Sequence, residues 1–299
     1  MRQFFNVLIY LSLLTTFSCD DGDIITVEFN FEDTFSSCGN LVFYKTKKEP
    51  AESMSISFTG LTLEQLLTVG DNDTLVTKST SNTFNYRTYS NTTLPTTGLF
   101  CTNIPSSEVQ IIEDYESKNG EATITTVLTE DDNDGVPAAL EDRNGNGNLK
   151  DDDTDGDGIP DYIDADDDGD NVLTKDENPD PNGDGNLIDA QDSDGDGTPD
   201  YLDTDDDGDG VLTRDEENDT QNQNPKDDIT NSDAGADYLN PDIKIAVPAT
   251  AYRTHTYSQA YKLTVYIDIS IRIISQDNYF FGALQNAPSK TVTETPDFN

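Results

Sequence analysis

Apolar and polar residues alternate in short runs near both ends of the chain, and the alternation stops in the middle. Ile25, Val27, Phe29 and Phe31 are separated by Thr26, Glu28 and Asn30, the period-two pattern of a half-buried strand. Shorter strand candidates follow at residues 41–45, 55–58, 83–89, 108–114 and 122–128, and residues 62–67 predict a single helical turn. Turn chemistry at Gly70-Asp71-Asn72-Asp73 and Leu94-Pro95 separates them. The strongest strand comes late: Tyr261, Leu263, Val265, Ile267, Ile269, Ile271 and Ile273 share one face, with Lys262, Thr264, Asp268, Ser270 and Arg272 on the other. So long an alternation predicts a sheet with one wet face.

Many short strands without an amphipathic helix predict a mainly β fold, a β-sandwich with an immunoglobulin-like arrangement as one form. Residues 20–128 supply its first part, and residues 243–299, too few to bury a core alone, are expected to complete it. Residues 129–242 would then be an insertion. The rival arrangement is an N-terminal sandwich with a separate C-terminal hairpin module.

Charge sets the insertion apart. The chain has 299 residues and a net charge of −43, and roughly 35 acidic against 4 basic residues fall between Glu130 and Asp219. Such a field calls for cations and disfavours nucleic acid, whose phosphates require clustered Lys and Arg.

Residues 1–19 read as an export signal, with Arg2 as the charged start and an apolar run over residues 4–14 too short to span a bilayer comfortably. Thr16-Phe17-Ser18-Cys19 resembles a lipoprotein processing box, although Thr16 stands where that family usually has Leu. The resemblance implies that Cys19 carries lipid and tethers the chain to a membrane; cleavage as a plain secretory signal is the alternative. Asp20, Asp21 and Asp23 resemble the export signals of some surface-displayed Gram-negative lipoproteins, and serve equally as a solubilising linker. The expected location is the outer membrane, facing the periplasm or the cell surface. Cys38 and Cys101 then remain as one pair, expected to bond in an oxidising compartment and otherwise two buried thiols. Closing a loop of about 60 residues would contribute about 4 kcal/mol on the chain-entropy account.

The insertion is a duplication. Residues 153–177 recur as 192–216, with 19 of the 25 positions identical by direct alignment. Each copy holds two loop types: DTDGDGIPDYID (153–164) and DSDGDGTPDYLD (192–203), then DDDGDNVLTKDE (166–177) and DDDGDGVLTRDE (205–216). Calcium explains the spacing, because a hard cation seeking six to eight oxygens at about 2.3–2.6 Å is wrapped by a loop that turns every second side chain inward. In the last loop Asp205, Asp207 and Asp209 are the first donors, Gly210 permits the turn, and Glu216 closes the site, as in an EF-hand loop. Asp166, Asp168, Asp170 and Glu177 match it, with Asn171 at the glycine position. The other loop type offers Asp192, Asp194, Asp196, Asp200 and Asp203, matched by Asp153, Asp155, Asp157, Asp161 and Asp164.

This Asp-x-Asp-x-Asp-Gly-x-x-Asp-x-x-Asp pattern resembles the thrombospondin type 3 repeat over about 90 residues. The resemblance implies a chain wrapped around a string of Ca²⁺ ions with little regular secondary structure. Animal members carry cysteines within the repeats and this chain has none there, so its array would lean more heavily on metal. Two amide-bearing loops follow the same spacing: Asp142, Asn144, Asn146 and Asp153, and Asp180, Asn182 and Asp184, where Gln191 takes the closing position. A seventh candidate runs from Glu130 through Asp132 and Asp134 to Glu141. The expected cofactor is therefore several Ca²⁺ ions, up to about seven.

With few apolar anchors and dense like charge, the metal-free array is expected to be extended, so that binding is folding. Paired EF-hands with flanking helices and an acidic solvated tail are the alternatives; the first lacks helices and the second leaves the turn glycines unexplained. No nucleophile motif, phosphate loop or zinc spacing points to an enzyme, and His255, in a polar stretch, predicts a surface position. The expected function is structural or adhesive, with a surface protein or glycan as partner. The alternative is a sandwich that recognises a glycan or peptide and is merely presented by the calcium array.

Overall fold

The computed structural model describes residues 29–95, 98–102, 106–218 and 221–298. Strand accounts for 33% and helix for 12%, so the fold is mainly β, and the sheet does not close into a barrel. The export signal and Cys19 lie outside the described residues, as does most of the run 25–31, whose described part, Phe29 to Phe31, is not strand. Among the described residues no helix is long and apolar enough to cross a membrane.

Two compact units divide the chain. The first takes the chain up to Leu63 together with Thr77–Ile124 and Thr264–Ala283. Its strands are β1 (Thr34–Cys38), β2 (Val42–Lys47), β3 (Glu52–Phe58), β5 (Asn82–Tyr89), β6 (Ile111–Lys118), the later part of β8 (His255–Ile271) and nearly all of β9 (Ile274–Leu284). They follow the order β8-β9-β1-β2-β3-β5-β6. Antiparallel register aligns Phe43, Ile56 and Phe84 across β2, β3 and β5, and each is wholly buried. This row forms because β3 puts Met54, Ile56 and Phe58, and β5 puts Phe84 and Tyr86, on every second position, and Phe43 of β2 stands opposite Ile56. Phe35 extends it, with its ring 4.7 Å from Phe43 and 5.4 Å from Phe281.

The expected late strand has the face that its alternation predicts. Leu263, Val265, Ile267 and Ile269 are at most 1% exposed, and the strand ends at a turn through Arg272 and Ile273. Strand β9 then returns on β8, and Gly282 has φ +132° with Asp33 carbonyl packed where a Cβ would stand. Cys38 and Cys101 are disulfide-bonded, with Cα atoms 5.9 Å apart. The hairpin β8–β9 thus adds C-terminal residues to the unit that holds β1 to β3.

The second unit takes Glu64–Val76, Thr125–Leu263 and Leu284–Asn299. It includes most of helix α1 (Leu63–Leu67), the start of β4 (Thr74–Ser79), the end of β7 (Ala122–Asp131), the start of β8, and β10 (Ser289–Glu294), which pairs with β8 from Ser289↔Ala260 to Glu294↔His255. Between β7 and β8 the chain makes a series of three-residue 3₁₀ turns, including Asp161–Ile163, Thr174–Asp176, Asp200–Leu202, Thr213–Asp215 and Asp237–Leu239. Each closes a loop by the same backbone bond, an N–H reaching back nine residues: Asp161 to Asp152, Thr174 to Ala165, Asp200 to Gln191, Thr213 to Thr204 and Asp237 to Asp228. The spacing of acidic residues has thus become a repeating irregular fold.

Candidate metal centres

The first carboxylate of each loop holds its own turn. Asp153 accepts from the N–H groups of Gly156 and Gly158 at 2.8 and 3.1 Å, and Asp192 does the same for Gly195 and Gly197. Asp166 accepts from Asp170 and Asn171, and Asp205 from Gly210. Asp142 and Asp180 repeat the bond in the amide-bearing loops, to Gly147 and Gly185. These short-range bonds hold the turn that aims the later donors inward.

The third and fifth positions divide their oxygens. Oδ1 of Asp155 accepts from Asp157 N–H, and Oδ1 of Asp157 from Ile159 N–H at 2.7 Å, while both Oδ2 atoms are buried and have no hydrogen-bond partner. The same division holds for Asp207 and Asp209. Asp194 and Asp196 make the same backbone bonds in an exposed loop, as do Asn144 and Asn146, and Asn182 and Asp184. A native interior rarely leaves polar oxygens without partners, and here the loops at 153–164, 166–177 and 205–216 each do so.

Five groups of carboxylates converge among the described residues, each with oxygens within 4.8 Å of one another: Asp153, Asp155 and Asp157; Asp192, Asp194 and Asp196; Asp205, Asp207 and Asp209; Asp132, Asp134 and Glu141; and Asp168, Asp170, Glu177 and Asp206. The last group is the most enclosed. Asp168, Asp170, Glu177 and Asp206 are 0–2% exposed, and both side-chain oxygens of Asp168, Glu177 and Asp206 are without partners. Burial first, then the charges of Asp170 and Asp166, push Asp168 well above the usual carboxylate range. Burial first, then Asp170 and Asp168, do the same to Glu177. Glu216 is pushed up to about 9 by burial and then by Asp207, Asp209 and Asp205, which places it beside its own loop. Oxygen donors alone, several of them buried anions, suit a hard divalent cation such as Ca²⁺ and offer nothing to a metal that prefers nitrogen or sulfur.

Other candidate donors have different duties. Both oxygens of Asp161 are taken by Thr154, at 2.7 and 2.8 Å, and both of Asp200 by Ser193. These carboxylates clamp the loop seven residues earlier and do not join the clusters. Oδ1 of Asp164 and of Asp203 each accepts an N–H two residues on, linking one loop to the next. Glu130 is held by Tyr162 hydroxyl and Gln259, so the seventh candidate centres on Asp132, Asp134 and Glu141. His255 is buried, not at the surface: it opens β8 against β10, and its Nε2 lies 3.4 Å from Asp164 Oδ1.

Three features escaped the spacing. Asn171 holds a positive φ of 75°, as Gly210 does at 93°, and its side chain also binds Ala251 carbonyl and Arg253 N–H. Gly169 and Gly208 have an Asp155 or Asp194 carboxylate packed where a Cβ would stand, so glycine is required by the neighbouring loop. A degenerate third copy occupies residues 228–240: Thr230 binds Asp237 through N–H and hydroxyl at 2.8 and 2.7 Å, as Thr154 binds Asp161, although Ile229 and Asn231 replace two donors. The Thr-to-Asp interval of seven was the signal that could have found it.

Residues 131–188 match the family model described as BamM C-terminal, a similarity that covers the earlier part of the array and about a fifth of the chain. The match points to a bacterial protein associated with the outer membrane. No curated protein and no solved structure matches the chain.

Proposed function

We propose that the chain is a calcium-binding surface lipoprotein with a structural or adhesive role, in which Ca²⁺ orders the acidic array into a stiff spacer. One observation carries this reading: carboxylate oxygens that are buried, partnerless and grouped recur in four of the loops, around Asp134, Asp155, Asp168 and Asp207. Bringing so many anions out of water is costly unless a cation replaces the lost hydration. Protons can neutralise the most buried of them near neutral pH but leave lone pairs without partners, whereas a divalent ion satisfies charge and lone pairs together. The outer-membrane association suggested by the family match supports an exported setting, where calcium is available and the Cys38–Cys101 disulfide persists. A lipid on Cys19 would supply the tether.

The test is a calorimetric calcium titration of the full chain. Uptake of several ions, with magnesium binding much more weakly, is the expected result; no uptake at millimolar calcium would overturn the reading. The alternative, a ligand-binding sheet unit, has a specific feature in its favour. A cavity of about 150 Å³ is lined by Arg87, Tyr89, Leu99, Ser106, Val109 and Ile111, and a glycan array distinguishes the two.

A further inference from the structure

We propose that the array is a ladder of linked sites, in which each of the two most enclosed cation sites is completed by a carboxylate from the following loop pair: Asp167 for the site at Asp132, Asp134 and Glu141, and Asp206 for the site at Asp168, Asp170 and Glu177. The inference rests on the calcium reading and goes beyond it, because loop spacing assigns neither aspartate a ligand's role. In an EF-hand loop the second position points away from its own ion.

Asp206 is the clearer case. It is the second residue of loop 205–216, yet its carboxylate converges with the donors of loop 166–177. It is 1% exposed and both of its oxygens lack a hydrogen-bond partner. Its backbone is fixed by an N–H bond to Thr213 Oγ1 at 3.2 Å, which turns the side chain away from its own loop. Asp167 is its counterpart 39 residues earlier, bound through N–H to Thr174 Oγ1, also at 3.2 Å. It is 2% exposed with Oδ1 unpartnered, and it shares with Asp206 its place in the repeat, its burial and its backbone bond, which by the 39-residue repeat assigns it to the preceding group at Asp132, Asp134 and Glu141.

The ladder also has an end. The third copy carries no loop of the DDDGD type, and the last site, at Asp205, Asp207 and Asp209, meets Lys244 instead of a carboxylate. Lys244 Nζ donates to Asp209 carbonyl at 2.7 Å and lies 3.7 Å from its Oδ2. The ammonium offers no lone pair to an ion, so this site lacks the carboxylate that a further repeat would bring. Filling should therefore be coupled: an ion in the site of loop 166–177 draws Asp206 in and orders the loop that follows.

Tyrosines report on the two sites separately. Tyr238 is buried within the field of Asp206 and Glu177, and Tyr201 within that of Asp167, Asp134 and Glu141, so each can sensitise terbium bound beside it. The experiment titrates the full chain with terbium and then calcium, in wild type, Glu177→Gln, Asp206→Asn and the double variant. Tyr238→Phe identifies the emission of this site, and Asp242→Asn, at an exposed carboxylate, sets the size of a general charge effect. The expected result is that Asp206→Asn weakens the Tyr238-reported site by about tenfold or more, and that the double variant loses less than the product of the two single losses. Asp167→Asn should do the same to the Tyr201-reported site, which keeps the test open if Asp206→Asn misfolds. A response no larger than that of Asp242→Asn, alongside clear loss in Glu177→Gln, would overturn the ladder and leave the calcium reading standing. Absence of terbium and calcium binding in the wild type would overturn both.

Discussion

The first unit and the acidic array bury opposite materials. In the first, Phe43, Ile56 and Phe84 stand in a row with no exposure; in the second, Asp170 and Asn171 are equally buried, and Asp168, Glu177 and Asp206 nearly so. An apolar core gains free energy by leaving water and needs nothing further. An anionic core loses hydration on closing and becomes stable only with a partner of opposite charge. The contrast teaches that burial alone does not identify what stabilises a region: the chemistry of the buried atoms does. Under the proposed function it also assigns different dependences, with the sheet unit self-sufficient and the array conditional on its ions.

The sharpest way to break the comparison is to remove apolar volume from one region and charge from the other. Phe84→Ala should destabilise the sheet unit by about 3–5 kcal/mol, equally in calcium and in chelator, as read by denaturant unfolding of that unit. A calcium-dependent cost would show that the sheet core is not independent of metal. Glu177→Gln should remove a calcium-linked contribution of about 3 kcal/mol at saturating ion, and cost far less in chelator. An equal cost under both conditions would make Glu177 a packing residue.

Acidity acts on the two states of the array in opposite senses. Asp134, Asp155 and Asp207 are raised to about 6, and Asp132 and Glu216 to about 9, in each case by burial first. A carboxylate raised in the folded state binds protons more tightly folded than unfolded. Its support for the metal-free array is therefore full below about pH 4, the unfolded value, and is lost as pH rises through about 6 and then about 9. Calcium competes with those protons, so its midpoint should rise by roughly tenfold per unit of acidification for one displaced proton. Calcium affinity that is flat between pH 7 and pH 5 would contradict this. The smallest effect belongs to Asn171→Gly, which frees the turn but deletes the bonds to Ala251 and Arg253. It should cost about 1 kcal/mol of local stability, seen as faster hydrogen exchange around Arg253, and leave the number of calcium ions unchanged.

Much of the sheet was legible because side-chain period and burial coincide. The alternation from Leu263 to Ile271 and the runs around Ile56 and Phe84 each became strands with the expected face inward. Strands β1, β4 and β10 carry Ser, Thr and Lys, with few apolar residues, and are held by their neighbours, so local pattern could not show them. In the array, spacing pointed to Asp155, Asp157, Asp168 and Asp170, whose carboxylates do converge with their neighbours. It could not show that Asp161 and Asp200, also read as donors, have both oxygens bound to Thr154 and Ser193. Nor could it show Asp206 reaching another loop, because that depends on how successive loops stack. His255 sits in a polar stretch and is buried by pairing between β8 and β10, a long-range fact with no local trace.

The most direct test is hydrogen exchange on the full chain in calcium and in chelator, comparing peptides from residues 153–177 with peptides from residues 52–58 and 82–89. The account predicts that chelation removes protection from the acidic peptides and leaves the strand peptides protected. Acidic peptides that remain protected without calcium would contradict it.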